Sequence, residues 1–328
     1  MIVIYTDKPM ISRKIAPFFS EKYQNEIIVY IHSMYFMNVY FDYSNNIKWK
    51  DFPIISNPQF KISSIEKWRA VTYENEKLIP IEVSFQDIKN CQKLIYAGDY
   101  CSSNIYLFSE FLSYLFGDLT QQENIDFLCL KSLSDNSIVE AIENSKSFHD
   151  VSTSIFNEGR IRKYFDYNFN LNSFALFGKS YQCVMKEFHN INTHNTFISK
   201  NMLQLLYFVK NEQNNSIIYK EGQLISKMYN WKGTGKYQFK SSIGNEASRI
   251  SIIQNLIDLE LIEVNNQYIF ISLKGKKFLE FLPKDCMDYD LPFRINLWSK
   301  LPFDEAKNKI DNYLSTYYKK IKNKLNNK

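Results

Sequence analysis

The chain has 328 residues, 45% of them hydrophobic and 16% aromatic, and a formal net charge of +5. That composition supports a sizeable core in two or three modest domains, and only 9 Gly and 8 Pro exclude a collagen-like or loop-dominated chain. The arginines are Arg13, Arg69, Arg160, Arg162, Arg249 and Arg294, the remaining cations being lysines. A polyanion would therefore be gripped along its backbone by point charges, with marked salt dependence, and its bases read poorly.

In chain order, the apolar run 1–6 predicts a strand closed by Asp7-Lys8-Pro9, and 11–19 a helix. The first strand begins at Met1 without a secretory leader and no apolar run reaches membrane-spanning length, so a cytoplasmic protein is expected. Residues 26–31 predict a second strand, 93–97 a third ended by Gly98-Asp99, and 104–115 a helix. Strand, acid, helix, repeated, is an α/β pattern. In open α/β sheets ligands gather at the carboxyl ends of strands, where Asp7 and Asp99 fall. Arg160 and Arg162 form a local basic cluster or belong to an ordinary solvated face.

The five cysteines, Cys91, Cys101, Cys129, Cys183 and Cys286, include no Cys-x-x-Cys pair, which argues against zinc and disulfide frameworks. His189 and His194, with Glu187 nearby, read as a loop pair, since no His-Glu-x-x-His pattern accompanies them. Gly233-Thr234-Gly235-Lys236 lacks P-loop spacing and reads as a flexible basic surface loop. Beyond Gly244-Asn245, Ile252, Ile253, Leu256, Ile257 and Leu259 recur near helical spacing. Two β-rich runs, 260–264 and 267–271, flank Asn265-Asn266 as a hairpin, and another helix starts at 272. Helix, hairpin, helix is a winged-helix pattern, open to DNA or to a protein partner. The tail, 297–328, reads as a packed helix with a frayed lysine-rich end, which touches nucleic acid or is merely solvated.

Two blocks, 1–180 and 219–310, resemble type IA DNA topoisomerases, the topoisomerase III branch in particular. In the first, Ile4-Tyr5-Thr6-Asp7-Lys8-Pro9 is similar to the family's Val-Ala-Glu-Lys-Pro, followed by a matching Arg13-Lys14-Ile15-Ala16. In the second, Ile243-Gly244, Ala247-Ser248-Arg249, Ile252-Ile253, Leu273-Lys274-Gly275 and Phe281-Leu282-Pro283 resemble the family's winged-helix segment. The resemblance implies an α/β Toprim-like domain plus a mainly helical domain with a winged helix. Its divisions would be 1–118 Toprim-like, 119–185 helical, 186–218 a short connector replacing the family's gate, 219–284 winged helix and 285–328 a basic helical tail. It also implies DNA contacts from Lys8, Arg13, Arg160, Arg162, Ser248, Arg249 and Lys274. The family counterpart of Arg249 faces the DNA backbone.

The departures shape the functional expectation. The family's Mg²⁺-binding carboxylates are reduced to Asp7 and Asp99, because the second aspartate of its Asp-x-Asp pair is Cys101, a soft ligand ill suited to Mg²⁺. These two acids are then remnant catalytic and metal positions, or anions placed at helix starts. No arginine has Tyr two positions upstream, so the family's nucleophilic Tyr-x-Arg is missing. The expectation is a catalytically inactive relative, a pseudoenzyme that binds single-stranded DNA in a mobile-element, replication or defence setting, requires no cofactor, and has Mg²⁺ as its one candidate ion. Two alternatives stay open: a Mg²⁺-dependent Toprim nuclease or topoisomerase subunit with a separate gate-bearing partner, and a protein-interaction component that has lost DNA contact.

Overall fold

The computed structural model describes residues 1–41, 47–62, 67–117, 124–187, 198–244 and 246–326. The chain divides into two compact units, Met1–Asp42 with Pro58–Lys163, and Tyr43–Asn57 with Tyr164–Lys328. His189 and His194 lie outside the described residues.

The first unit is mixed α/β. Its elements are β1 (Ile2–Thr6), α1 (Pro9–Lys22), β2 (Ile28–His32), α2 (Ser33–Phe36), β3 (Met37–Phe41), β4 (Pro58–Ile62), β5 (Lys67–Glu74) and β6 (Lys77–Ser84). There follow α3 (Phe85–Lys89), β7 (Lys93–Tyr96), α4 (Ser102–Phe116), β8 (Ile125–Phe127), α5 (Asp135–Glu143), β9 (Lys146–Ser147) and the start of α6 (Thr153–Glu187). Seven strands form one sheet in the order β6-β5-β2-β1-β7-β8-β9, in which β2, β1, β7 and β8 are parallel. A separate antiparallel pair joins β3 to β4.

The central strand is Ile-Val-Ile-Tyr-Thr and buried at every position, as a parallel strand covered on both faces must be. Alternation along it sorts two cores. Val3 and Tyr5 pack with Phe108, Phe111 and Leu112 of α4. Ile2 and Ile4 pack with Ile11, Ile15 and Phe19 of α1 and Ile138 of α5. Each fully buried side chain of this size contributes about 1.5–3 kcal/mol.

Strands β1, β2 and β7 fall within a residue or two of their sequence-predicted positions, whereas β3 to β6 were not foreseen. The β5–β6 hairpin turns through Asn75 and Glu76, both at positive φ (48° and 60°). That is the turn chirality that matches strand twist, yet Asn-Glu carries a weaker signal than Asn-Gly.

The second unit contains the remainder of α6 with α7 (Lys200–Asn214), β10 (Tyr219–Lys220), α8 (Glu221–Tyr229), α9 (Glu246–Asp258), β11 (Ile262–Asn265) and β12 (Tyr268–Ile271). It closes with α10 (Leu273–Glu280), α11 (Leu291–Trp298) and α12 (Phe303–Asn326). Three strands pair antiparallel as β10-β12-β11. The hairpin turns through Asn266 and Gln267 at positive φ, so it is one residue later than Asn265-Asn266. Asn265 instead pairs with Tyr268. Helix α7 occupies much of the stretch expected to be a connector and buries Met202, Leu203, Leu205 and Leu206, an apolar stripe at helical spacing. Gly275 is required in α10: a Cβ there would lie 2.1 Å from the Leu261 carbonyl oxygen.

Two further expectations are corrected. The lysine-rich end of α12 does not fray: Lys324 donates to the Leu282 carbonyl and Lys322 to the carbonyls of Lys50 and Phe52. The Gly233-Gly235 loop is pinned, because Thr234 donates its N–H and hydroxyl to Asp290 at 2.8 and 2.7 Å. Among the described residues, no helix is long and apolar enough to cross a membrane.

Candidate functional site

The parallel pairing of β1 with β7 brings Asp7 and Asp99 to neighbouring strand ends, as the α/β pattern requires. Gly98 makes their approach possible, since a Cβ there would lie 2.7 Å from the Asp7 carboxylate. Asp7 is 7% exposed, and its Oδ2 accepts the Asp99 backbone N–H at 2.8 Å and the Asn104 side-chain amide at 2.9 Å. Tyr96, fully buried beside them, donates its hydroxyl to the Asp99 carbonyl at 2.8 Å. Burial pushes the Asp7 pKa up to about 6; the neighbouring Asp99 charge adds to the rise, and the two N–H donors and Lys8 oppose it. Burial likewise raises the Cys101 thiol, with the charges of Asp7 and Asp99 adding to it.

Both acids lie near helix starts without being the capping residue. The N-cap positions of α1 and α4 are Lys8 and Cys101, and neither Asp7 nor Asp99 occupies one. The donor set does not fit a resident Mg²⁺ either. One Asp7 oxygen is filled by two N–H donors, and Lys8 reaches the Asp99 carboxylate at 3.9 Å. The third position is a protonated thiol, and among the described residues no three acids, histidines or cysteines converge. Glu158 approaches the start of α4 through Ser102, at 3.3 Å, but its carboxylate is engaged by Arg162 at 2.8 Å.

The residues expected to contact DNA are divided between the two units. In the first unit, Arg13 is exposed on α1 and Arg160 is exposed on α6, whereas Arg162 is paired with Glu158. In the second unit, Lys274 is 14% exposed and forms an ion pair with Glu260. Ser248 is half-buried beside Arg249, which is only 6% exposed. The Arg249 guanidinium donates to the Gly244 carbonyl at 3.2 Å and lies over the Tyr229 ring, 5.1 Å from its centroid. It buttresses the turn that opens α9, where Gly244 sits at φ +67°.

A different set stands out on the surface of the second unit. Lys220 lies over Tyr268 at 5.4 Å and Lys227 over Tyr219 at 5.5 Å. Strand β10 registers Lys220 with Tyr268 and Tyr219 with the buried Ile269, so the two cation–ring pairs lie on opposite faces of that strand, and Tyr219 also stacks on Phe208 at 5.7 Å. Lys227 borders a cleft of about 250 Å³ that is also lined by Phe208, Glu212, Asn230, Trp231 and Lys232. Tyr268 is 38% exposed, and Tyr229, 58% exposed, carries the Arg249 guanidinium over its ring. The Tyr219-Lys220 pair is visible in the sequence; nothing in its spacing shows which rings the lysines cover.

Neither the protein-family models nor the curated proteins include a match to this chain. Among solved structures, full-length topoisomerase I from Thermotoga maritima aligns at 14% identity with a TM-score of 0.35, over 65% of this chain. The chain spans 30% of the length of that protein.

Proposed function

We propose that this protein binds single-stranded nucleic acid, DNA on the strength of its motif resemblance, as a topoisomerase-like protein that neither cleaves nor passes strands. The observation that supports this reading is the two lysine–tyrosine contacts on the second unit, Lys220 with Tyr268 and Lys227 with Tyr219. A sequence-tolerant strand binder needs cations to neutralise phosphates and aromatic faces on which bases stack, each stacked base being worth roughly 1–3 kcal/mol. Lysine, more than arginine, supplies the charge, which suits backbone binding without base readout.

The order α8, α9, the β11–β12 hairpin and α10 supports a winged-helix reading of the second unit. The first unit's parallel-containing sheet supports a Toprim-like one. In this proposal Arg249 acts through the α9 turn it holds, not as a free phosphate ligand. Two observations support the non-cleaving half of this reading: the sequence has no Tyr-x-Arg, and the Asp7 and Asp99 surroundings are a poor donor set for a resident divalent ion.

Fluorescence anisotropy with a labelled oligonucleotide over a salt series tests the proposal. The triple variant Lys220→Glu, Lys227→Glu and Lys232→Glu should weaken binding at least tenfold and lower the salt slope by about 2, at roughly 0.7 per single-strand phosphate contact. Salt-independent binding, or an unchanged slope in the variant, overturns it. Relaxation of supercoiled plasmid by the purified chain would overturn the non-cleaving half.

A further inference from the structure

The loop that joins α8 to α9 carries Lys232, Lys236 and Lys240 and, from 230 to 244, no acid. It is anchored at two points. Thr234 is held by Asp290 through its N–H and hydroxyl. Further on, Tyr237 stacks flat on Phe293 of α11, with centroids 5.1 Å apart and planes within 10°. Phe239 meets both rings edge-on, at 5.6 and 5.5 Å. Phe293 is 1% exposed, so this three-ring cluster ties the loop to the core, while the three lysines stay exposed.

Two cations sit on the cluster. Lys236 lies over Tyr237 at 5.7 Å, and Lys300, just beyond α11, lies over Phe239 at 5.8 Å. Among the described residues, none of Lys232, Lys236, Lys240 and Lys300 has a side-chain ion pair or hydrogen bond. The acids that adjoin the loop and α11 do not cancel this charge. Asp290 is 5% exposed, with both oxygens taken by Thr234, and Asp288 is matched by Arg294 at 3.1 Å. Even when Asp290 and the exposed Asp304, four residues past Lys300, are counted in full, the four lysines leave two positive charges in excess. Lysines held apart from carboxylates attract a polyanion as point charges. Tyr237 and Phe239 are half-buried, so ring surface lies beside the cations. A nucleic-acid strand has bases to place there, and an acidic peptide does not.

We infer that this loop and the end of α11 form a phosphate-backbone contact for a nucleic-acid strand, made by Lys236, Lys240 and Lys300. The inference rests on the strand-binding proposal and adds to it a second place of contact on the same unit, distinct from Lys220 and Lys227.

Fluorescence anisotropy of the full chain with a labelled oligodeoxythymidine over a salt series is the test. Lys236→Gln, Lys240→Gln and Lys300→Gln together should weaken binding at least tenfold and lower the salt slope by about 2, at roughly 0.7 per single-strand phosphate contact. Arginine at the same three positions should keep both affinity and slope. The matched variant Lys67→Gln, Lys77→Gln and Lys89→Gln removes the same charge from exposed positions of the first unit and should change affinity less than twofold. Three results overturn the inference: equal losses in the two glutamine variants, an unchanged slope in the loop variant, or displacement of the oligonucleotide by polyglutamate as readily as by unlabelled strand at equal charge. If the loop variant binds normally while Lys220→Glu, Lys227→Glu, Lys232→Glu does not, this inference falls and the strand-binding proposal stands. If the wild-type chain does not bind the oligonucleotide, both fall.

Discussion

Asp7 offers a sharp test of how the strand-end site is built. Its carboxyl titrates near 6 in the folded chain against an ordinary 3.8, chiefly because burial disfavours the anion. The sign follows from linkage: the folded state binds the proton more tightly, so this group's stabilising contribution is complete below about pH 4 and is lost as pH rises through 6. The difference of roughly two pKa units, at 1.36 kcal/mol each, makes the ionised Asp7 cost about 3 kcal/mol at neutral pH. In Asp7→Asn the side-chain oxygen still accepts from the Asp99 N–H and the Asn104 amide, but no charge is buried. The variant should therefore be about 2–3 kcal/mol more stable at pH 7.5, a gain of several degrees in Tm, and no more stable than wild type below pH 4. Thermal and urea unfolding across pH 4–8 read this directly. A variant that is equally or less stable at pH 7.5, or whose gain does not depend on pH, refutes the assignment.

Three other outcomes are expected. His32 is fully buried, contacts Ser12 Oγ through Nε2 at 2.9 Å, and is pushed by burial down to about 4 from 6.5. Its contribution is present above pH 6.5 and declines by about 3 kcal/mol as pH falls towards 4, opposite in sign to that of Asp7 in nearly the same window. The two offset each other in the wild type, so His32→Gln should uncover the rise in stability on acidification that Asp7 supplies, in the same unfolding series. Asn168 and Asn172, one turn apart on α6 and fully buried, each accept a backbone N–H and donate to a backbone C=O, Asn168 at Ser56 and Asn172 at Ile54, over 2.7–3.0 Å. Asn172→Ala should cost about 2–4 kcal/mol in urea unfolding, because two part-buried backbone groups lose their partners. Gly275→Ala should lower stability by at least about 2 kcal/mol in the same assay, since the new methyl collides with backbone that cannot swing aside.

By itself the sequence determined β1, α1, β2, β7 and α4, the acids at two strand ends and the hairpin after α9. These are local signals, carried by runs of β-branched residues and by helical spacing that neighbouring residues enforce. It also determined that no Tyr-x-Arg nucleophile is present. Tertiary structure alone decided what the charged residues do. Arg249 and Lys274 read as free cations in a motif, but a carbonyl, a ring and a carboxylate brought close by folding hold them in place. The Asn168–Asn172 ladder joins residues 112 and 118 positions apart in sequence. The surface contact of Lys220 with Tyr268 exists because a two-residue strand pairs with β12. The pairing distance of a backbone hydrogen bond, not any periodicity along the chain, assembles that surface.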